Sequence, residues 1–233
     1  MVNILISGYY GFDNIGDESI LRTLVSSLRE HIPECSLTVL SHNPASTREK
    51  YGVEAVDRMS PVAILHAVKK CDMLISGGGS LLQDVTSSKS LHYYLSIIRC
   101  AEFFHKKVFI YSQGIGPIDR PGNRRAAAAA LKRADGIVVR DERSASLLEE
   151  IGIARDKVVI TADPVIRMKK PDGDVGAEIL RKAGVSLDGR LTVGWAIRER
   201  DTDSRFVKEL LRSIQMMKDK YNAQSVLIPF HYE

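Results

Sequence analysis

The chain has 233 residues, 44% hydrophobic and 27% charged, with 33 Lys and Arg against 29 Asp and Glu and a formal net charge of +4. That composition excludes a disordered chain, and no apolar run approaches the roughly 20 residues of a membrane span. Basic residues are scattered ("HKK" at 105, "RPGNRR" at 120, "RMKK" at 167) without interleaved aromatics, so no nucleic-acid partner is expected and membrane contact is at most peripheral.

The first element is the apolar run "VNILIS", which opens directly into "GYYGFDNIGDESIL" from Gly8, with a helix over 17–31. The glycines at 8, 11 and 16 do not fit G-x-G-x-x-G, and no G-x-x-x-x-G-K-[ST] occurs, which disfavours a nicotinamide site and a P-loop. Turn geometry alone explains the glycines, and helix capping alone explains Asp13 or Asp17. Neither needs Tyr9, Tyr10 and Phe12 in the same loop. Rings beside Asp13, Asn14, Asp17 and Glu18 suit a sugar, whose apolar face stacks while its hydroxyls bond to carboxylate and amide oxygens.

A strand "SLTVLS", a helix over 60–70 and a strand "DMLISG" follow, and the last runs into "SGGGSLLQD". Gly77, Gly78, Gly79 and Ser80 are expected at a strand-to-helix turn, where backbone N–H groups and a helix N-terminus can face an anion. Tight strand–helix packing is the other use of three glycines. Gln83 and Asp84 are expected one turn into the helical region, aimed at the same crevice. After a helix over 88–105, strand "KVFIYSQG" brings Gln113 in "SQGIGPI". A helix over 121–133, strand "GIVVRD" with Arg140 in "RDERS", a helix over 142–151 and strand "KVVITAD" with "ADP" at 162–164 complete the series.

Six short, unalternating strands separated by helices imply an α/β fold with a doubly wound parallel sheet over residues 1–165. Ligands of such sheets collect outside the strand carboxyl ends. Five unusual stretches sit at such ends and predict one crevice. Residues 166–189 read as linker and helix, and 190–233 open a second unit with strand "LTVGWAIR", a helix over 203–220 and strand "SVLIPF". About 40 residues are too few to close a core, so this second domain is expected to be incomplete.

Cys35, Cys71 and Cys100 are odd in number, far apart and flanked by apolar residues, which suits reduced core thiols in a reducing compartment. Met1 leads straight into a predicted strand, so no signal peptide is expected. The expected location is the cytoplasm, at most against the inner face of the membrane. His31, His42, His66, His92 and His105 lack metal-ligand spacing, and no metal or cofactor is expected; His231 differs in following a strand of the second unit.

"GYYGFDNIGDESIL", "SGGGSLLQD", "SQGIGPI", "RDERS" and "ADP", in this order and at these intervals, resemble the polysaccharide pyruvyl transferase family. They most resemble the bacterial enzymes that place a pyruvate ketal on N-acetylmannosamine of the secondary cell-wall polymer, on which S-layer proteins dock. The resemblance implies a glycosyltransferase-B-like pair of Rossmann-like domains, the first binding the acceptor and the second the donor. The donor is phosphoenolpyruvate, a co-substrate, and the acceptor a lipid-linked cell-wall glycan. Catalysis then falls to Asp13, Asp17 or Glu18 as general base. Acceptor contacts fall to Tyr9, Tyr10, Phe12, Asn14, Gly77, Gly78, Gly79, Ser80, Gln83, Asp84, Gln113 and Arg140, and donor contacts to Arg198, Arg200 and His231. With its second domain short, the chain alone is expected to be inactive, and a homo-oligomer stays open. A nucleotide-sugar glycosyltransferase of the same architecture and a non-catalytic carbohydrate-binding fragment are the alternatives.

Overall fold

A computed structural model describes residues 1–170, 173–197 and 204–229. The chain divides into two compact units, Met1–Met168 and Lys169–Glu233. In the first, β1 (Val2–Tyr10), α1 (Ile15–His31), β2 (Cys35–Ser41), α2 (Pro44–Tyr51), β3 (Glu54–Asp57) and α3 (Pro61–Lys70) form one half. The other half is β4 (Met73–Gly77), α4 (Ser88–Phe103), β5 (Lys107–Gln113), α5 (Pro121–Leu131), β6 (Gly136–Val139), α6 (Glu142–Glu150) and β7 (Val158–Ile160). The strands form one parallel sheet in the order β3-β2-β1-β4-β5-β6-β7.

Alternate residues of the buried strands feed two cores, one on each face of the sheet. Ile4 and Ile6 of β1 pack with Leu21, Leu24 and Val25 of α1 and with Tyr51 of α2. Leu5 of the same strand joins Leu74, Val108 and Ile137 under α3, α4, α5 and α6. The helices therefore change face where the strand order reverses, between β1 and β4, and this switch point is where a doubly wound sheet opens a crevice.

Two elements are additional to the six strands and five helices expected for this unit. The helix α2 is polar ("PASTREKY") and lacks an apolar stripe, so it is held by its ends: Asn43 caps the Ser46 N–H at 3.2 Å, Pro44 opens the first turn, and Gly52 closes it at φ 61°. The strand β3 has four residues at the sheet edge and only Ala55 fully buried, too little to signal itself by pattern.

In the second unit, α7 (Gly173–Lys182) precedes β8 (Thr192–Ile197), α8 (Ser204–Tyr221) and β9 (Gln224–Pro229). β8 and β9 pair in parallel across the α8 crossover, and Gln224 bonds Thr192 and the backbone of Ser186.

Candidate functional site

The site begins with a slip in register. β1 pairs with β2 in step up to Ser7 and Leu40, then resumes at Tyr10 and Ser41. The slack turns the Tyr10 ring under its own chain, fully buried, with its hydroxyl donating to the Gly77 carbonyl at 2.9 Å. A Cβ at Gly8 would lie 2.2 Å from that ring and 2.6 Å from the Gly77 oxygen, so only glycine fits there. Burial pushes the Tyr10 phenol well above its ordinary value and keeps it a neutral donor. Tyr10 was expected to stack on a ligand; it is instead the bolt joining the β1 and β4 loops across the switch point.

The neighbouring rings are presented outward. Tyr9, 39% exposed, stacks on Phe12 with centroids 4.0 Å apart, and Phe12 stacks on His42 of the β2–α2 loop at 4.4 Å. Behind them lies Arg58, buried, with its Cζ 5.6 Å from the Tyr9 centroid and 5.1 Å from that of Phe12.

The three candidate carboxylates fall into three environments. Asp13, at φ 55°, pairs with Lys50 at 2.7 Å on the open surface. Glu18 accepts from the Gly11 N–H at 2.8 Å and from the Tyr51 hydroxyl, which commits both of its oxygens to holding the loop. Asp17 accepts no hydrogen bond on its carboxylate among the described residues. Its pKa is raised from 3.8 to about 6, first by burial and then by the charge of Glu18, against the lowering influence of Arg140 and Arg58. The cap of α1 is Asn14, which accepts from the Asp17 N–H at 3.2 Å, and neither expected aspartate does this work. One Asp17 oxygen lies 2.8 Å from where a Cβ of Gly79 would stand, so the missing side chain leaves room for the carboxylate on the β4 turn.

Beyond β4 the chain departs from expectation. The helix α4 starts only at Ser88, capped by the Ser87 hydroxyl, so no helix N-terminus follows Gly77, Gly78 and Gly79 directly. Gln83 and Asp84 lie in a loop tied to the β5 loop by a Leu82–Ile115 bridge. The Gln83 amide is occupied by Thr86. Asp84 is buried and accepts from the Asp119 and Arg120 N–H groups and from Asn123. Burial alone would raise its pKa, but these donors overcome it and hold the carboxylate below the ordinary value. Its task is to fix the turn into α5, so it does not face the crevice as expected. Gln113 is fully buried, donating to Ser76 at 2.7 and 2.9 Å, and its Oε1 has no hydrogen-bond partner among the described residues.

Arg140, at the end of β6, gathers the other loops. It bonds Asp163 at 2.8 Å and the Ser80 hydroxyl at 3.0 Å, and lies over Gly114, whose missing Cβ leaves the guanidinium its place. An open cavity of about 460 Å³ begins here, lined in part by Ser80, Arg124, Arg140, Arg143 and Ser144. Arg124 is held by the Ile118 carbonyl and Glu150, whereas Arg143 is exposed and makes no ion pair among the described residues. Among the described residues, no three His, Cys, Asp or Glu side chains are grouped to hold a metal ion. Arg198, Arg200 and His231 lie outside the described residues.

The sequence reading missed Tyr51, His42 and Arg58. The signal for Arg58 was slight: a lone cation in "VDRMSP", just past a strand that the pattern does not show. His42 could be found only once β2 and β1 were known to be neighbours.

A curated relative, the amylovoran biosynthesis protein AmsJ of Erwinia amylovora, is 22% identical over 239 residues, which is 85% of this chain. The chain spans 57% of that relative's length. Among solved structures, the UDP-GlcNAc 2-epimerase of Methanocaldococcus jannaschii superposes with a TM-score of 0.63 at 12% identity, over 97% of this chain and 64% of its own. The UDP-glucose complex of Anabaena Alr3699/HepE gives 0.58 at 10% identity, over 98% and 69%. At such identities the likeness speaks for the fold alone, Rossmann-like and of the glycosyltransferase-B-like class. The family model for polysaccharide pyruvyl transferase matches residues 14–233, nearly the whole chain. The protein belongs to the polysaccharide pyruvyl transferase family.

Proposed function

We propose that the protein moves an enolpyruvyl group from phosphoenolpyruvate to a lipid-linked, N-acetylmannosamine-containing cell-wall glycan, at the inner face of the membrane, and closes a pyruvate ketal with Asp17 as general base. One sugar hydroxyl adds to C2 of the enol, its oxygen forming the new bond and its proton passing by way of Asp17 to the solvent, while C3 takes a proton from the solvent and becomes a methyl group. A neighbouring hydroxyl then attacks C2, the bond from C2 to the phosphate oxygen breaks, and orthophosphate leaves with its electron pair. The second hydroxyl's proton passes to the base or to the departing phosphate.

The observation that carries this reading is Asp17. It is a half-buried carboxylate without hydrogen bonds among the described residues, poised near neutrality and close to the β4 glycine turn. A base near the working pH combines the right ionisation state with driving force for proton transfer. Tyr9, exposed at the end of its stack with Phe12 and His42, supplies a face for a pyranose ring. The donor carries two anionic groups, which suit the forked guanidinium groups of Arg143 and of Arg140, the latter named above among the acceptor contacts. Arg198, Arg200 and His231 are the candidates assigned to the second.

The test is incubation with phosphoenolpyruvate and a lipid-linked N-acetylmannosamine disaccharide, following orthophosphate and the ketal methyl signal. A second reading, nucleotide-sugar transfer, is favoured by the UDP-glucose complex of HepE. It predicts release of a nucleoside diphosphate and no consumption of phosphoenolpyruvate. Sugar binding without either product would leave only a carbohydrate-binding role.

A further inference from the structure

Arg58 follows β3 by one residue and is 6% exposed. One Nη donates to the Gly8 carbonyl at 3.0 Å and the other to the Tyr94 hydroxyl at 3.2 Å, while the Tyr93 hydroxyl donates to the Arg58 carbonyl at 2.9 Å. Its Cζ lies 4.7 Å from the Tyr93 centroid and 5.5 Å from that of Tyr94, in addition to the Tyr9 and Phe12 rings already described. Among the described residues no carboxylate pairs with it, and its Nε is buried without a hydrogen-bond partner. A guanidinium cannot shed its proton inside a protein. A permanent charge is therefore buried among four ring faces, one carbonyl and one phenol. As a mere wedge this is unfavourable, because an apolar side chain of similar volume fills such a space without the desolvation penalty.

What sets the position apart is what the cation holds. Gly8 and Tyr9 belong to the stretch where β1 has slipped its register, and Phe12 lies just past the end of that strand, so the β-ladder fixes these residues less firmly than the strand before them. The rings of Tyr9 and Phe12 lie nearly parallel, 6° apart, and Phe12 lies 4° from the plane of His42. The Arg58 cation, over both rings with its Cζ 5.6 and 5.1 Å from their centroids, is attracted to their π-electrons and restrains both. We propose that Arg58 is a positioning residue for the acceptor loop: by pinning the Gly8 carbonyl and the Tyr9 and Phe12 rings, it keeps the Tyr9–Phe12–His42 stack assembled as a platform for the apolar face of a sugar ring. The ligand class rests on the acceptor reading above; the positioning itself does not.

Three variants of the 233-residue chain test this by NMR. Arg58→Gln removes the charge but keeps amide donors, Arg58→Lys keeps the charge, and Tyr94→Phe removes the hydroxyl that orients the guanidinium. The readouts are the ring-proton shifts of His42 and Phe12, moved upfield by stacking, and the dissociation constant for the methyl glycoside of N-acetylmannosamine. Arg58→Gln is expected to move both sets of shifts toward random-coil values and to weaken glycoside binding about tenfold, the effect of one desolvated cation–ring contact. Arg58→Lys is expected to retain most of both. If Arg58→Gln does not fold, Tyr94→Phe carries the test, with a smaller shift in the same direction. Unchanged ring shifts in folded Arg58→Gln, or in Tyr94→Phe should the first not fold, would overturn the proposal, as would Arg58→Lys behaving like Arg58→Gln. Shifts that move as expected, with no glycoside binding by the wild-type chain, would uphold the positioning role and remove the acceptor reading.

Discussion

Three carboxylates within six residues differ because each oxygen has a different neighbour. Glu18 is committed to Gly11 and Tyr51, Asp13 to Lys50, and Asp17 to nothing among the described residues. In a form that carries both domains whole, Asp17→Asn is expected to lower kcat/KM by roughly two to four decades, while Asp13→Asn changes it by only about a few-fold. The wild-type profile should fall below about pH 6, where Asp17 takes up its proton. Stability moves the opposite way. A folded-state pKa raised from 3.8 to about 6 means that the folded state binds the proton more tightly than the unfolded chain. The favourable contribution is then present below pH 3.8 and lost as the pH rises through 6. Asp17→Asn should therefore melt higher than wild type at pH 8, by at most about 3 kcal/mol and less because the carboxylate is only half-buried, and show little difference at pH 4. Chemical denaturation at the two pH values measures this; equal stabilities at pH 8 would mean that Asp17 is not strained. The sequence showed that carboxylates and rings share this loop. It could not rank them, because the ranking depends on Tyr51 and Arg140, which are 34 and 123 positions downstream of Asp17.

At the scale of elements, strands buried on both faces announced themselves as continuous apolar runs, and the helices between them by their period. What stayed hidden was held by ends and neighbours: α2 by its caps, β3 by its one partner strand, and the register slip in β1 by space that opens only when Gly77 stands opposite Tyr10. The glycine turn after β4 read as the start of a helix because Leu81 and Leu82 continue an apolar pattern; in the fold they are buried in a loop bridged to Ile115. Tyr10→Phe tests whether the two loops are bolted together. It leaves a buried Gly77 carbonyl without its donor and should lower stability by about 1–2 kcal/mol, with faster amide exchange at Gly77 and Gly78 than in the rest of β4. Leu24→Ala, beneath the same turn and 1% exposed, should cost about 2–5 kcal/mol by opening a cavity under Gly77. Uniform exchange along β4 in Tyr10→Phe would separate the two loops and remove the bolt.

For the molecule as a whole, strand order does the organising. Reversal between β1 and β4 puts the aromatic loop and the glycine turn on either side of one opening, while β6 and β7 bring Arg140 and Asp163 to the same edge. Ser80 and Arg140, 60 positions apart, and Tyr10 and Gly77, 67 apart, thus meet without any local signal in the sequence beyond their place at strand ends. The motif order pointed to the family, and the match over residues 14–233 bears it out. The acceptor and donor are the proposal made above and are open to direct trial. The most direct measurement couples product to residue: orthophosphate released from phosphoenolpyruvate, counted against pyruvate ketal on a lipid-linked N-acetylmannosamine disaccharide, for wild type and Asp17→Asn in parallel, each in a form that carries both domains whole. Pyruvyl transfer with Asp17 as base requires the two products in equal amounts from wild type, and a loss of at least about a hundredfold in the variant. Equal turnover by both proteins, or release of a nucleoside diphosphate with phosphoenolpyruvate untouched, would contradict it.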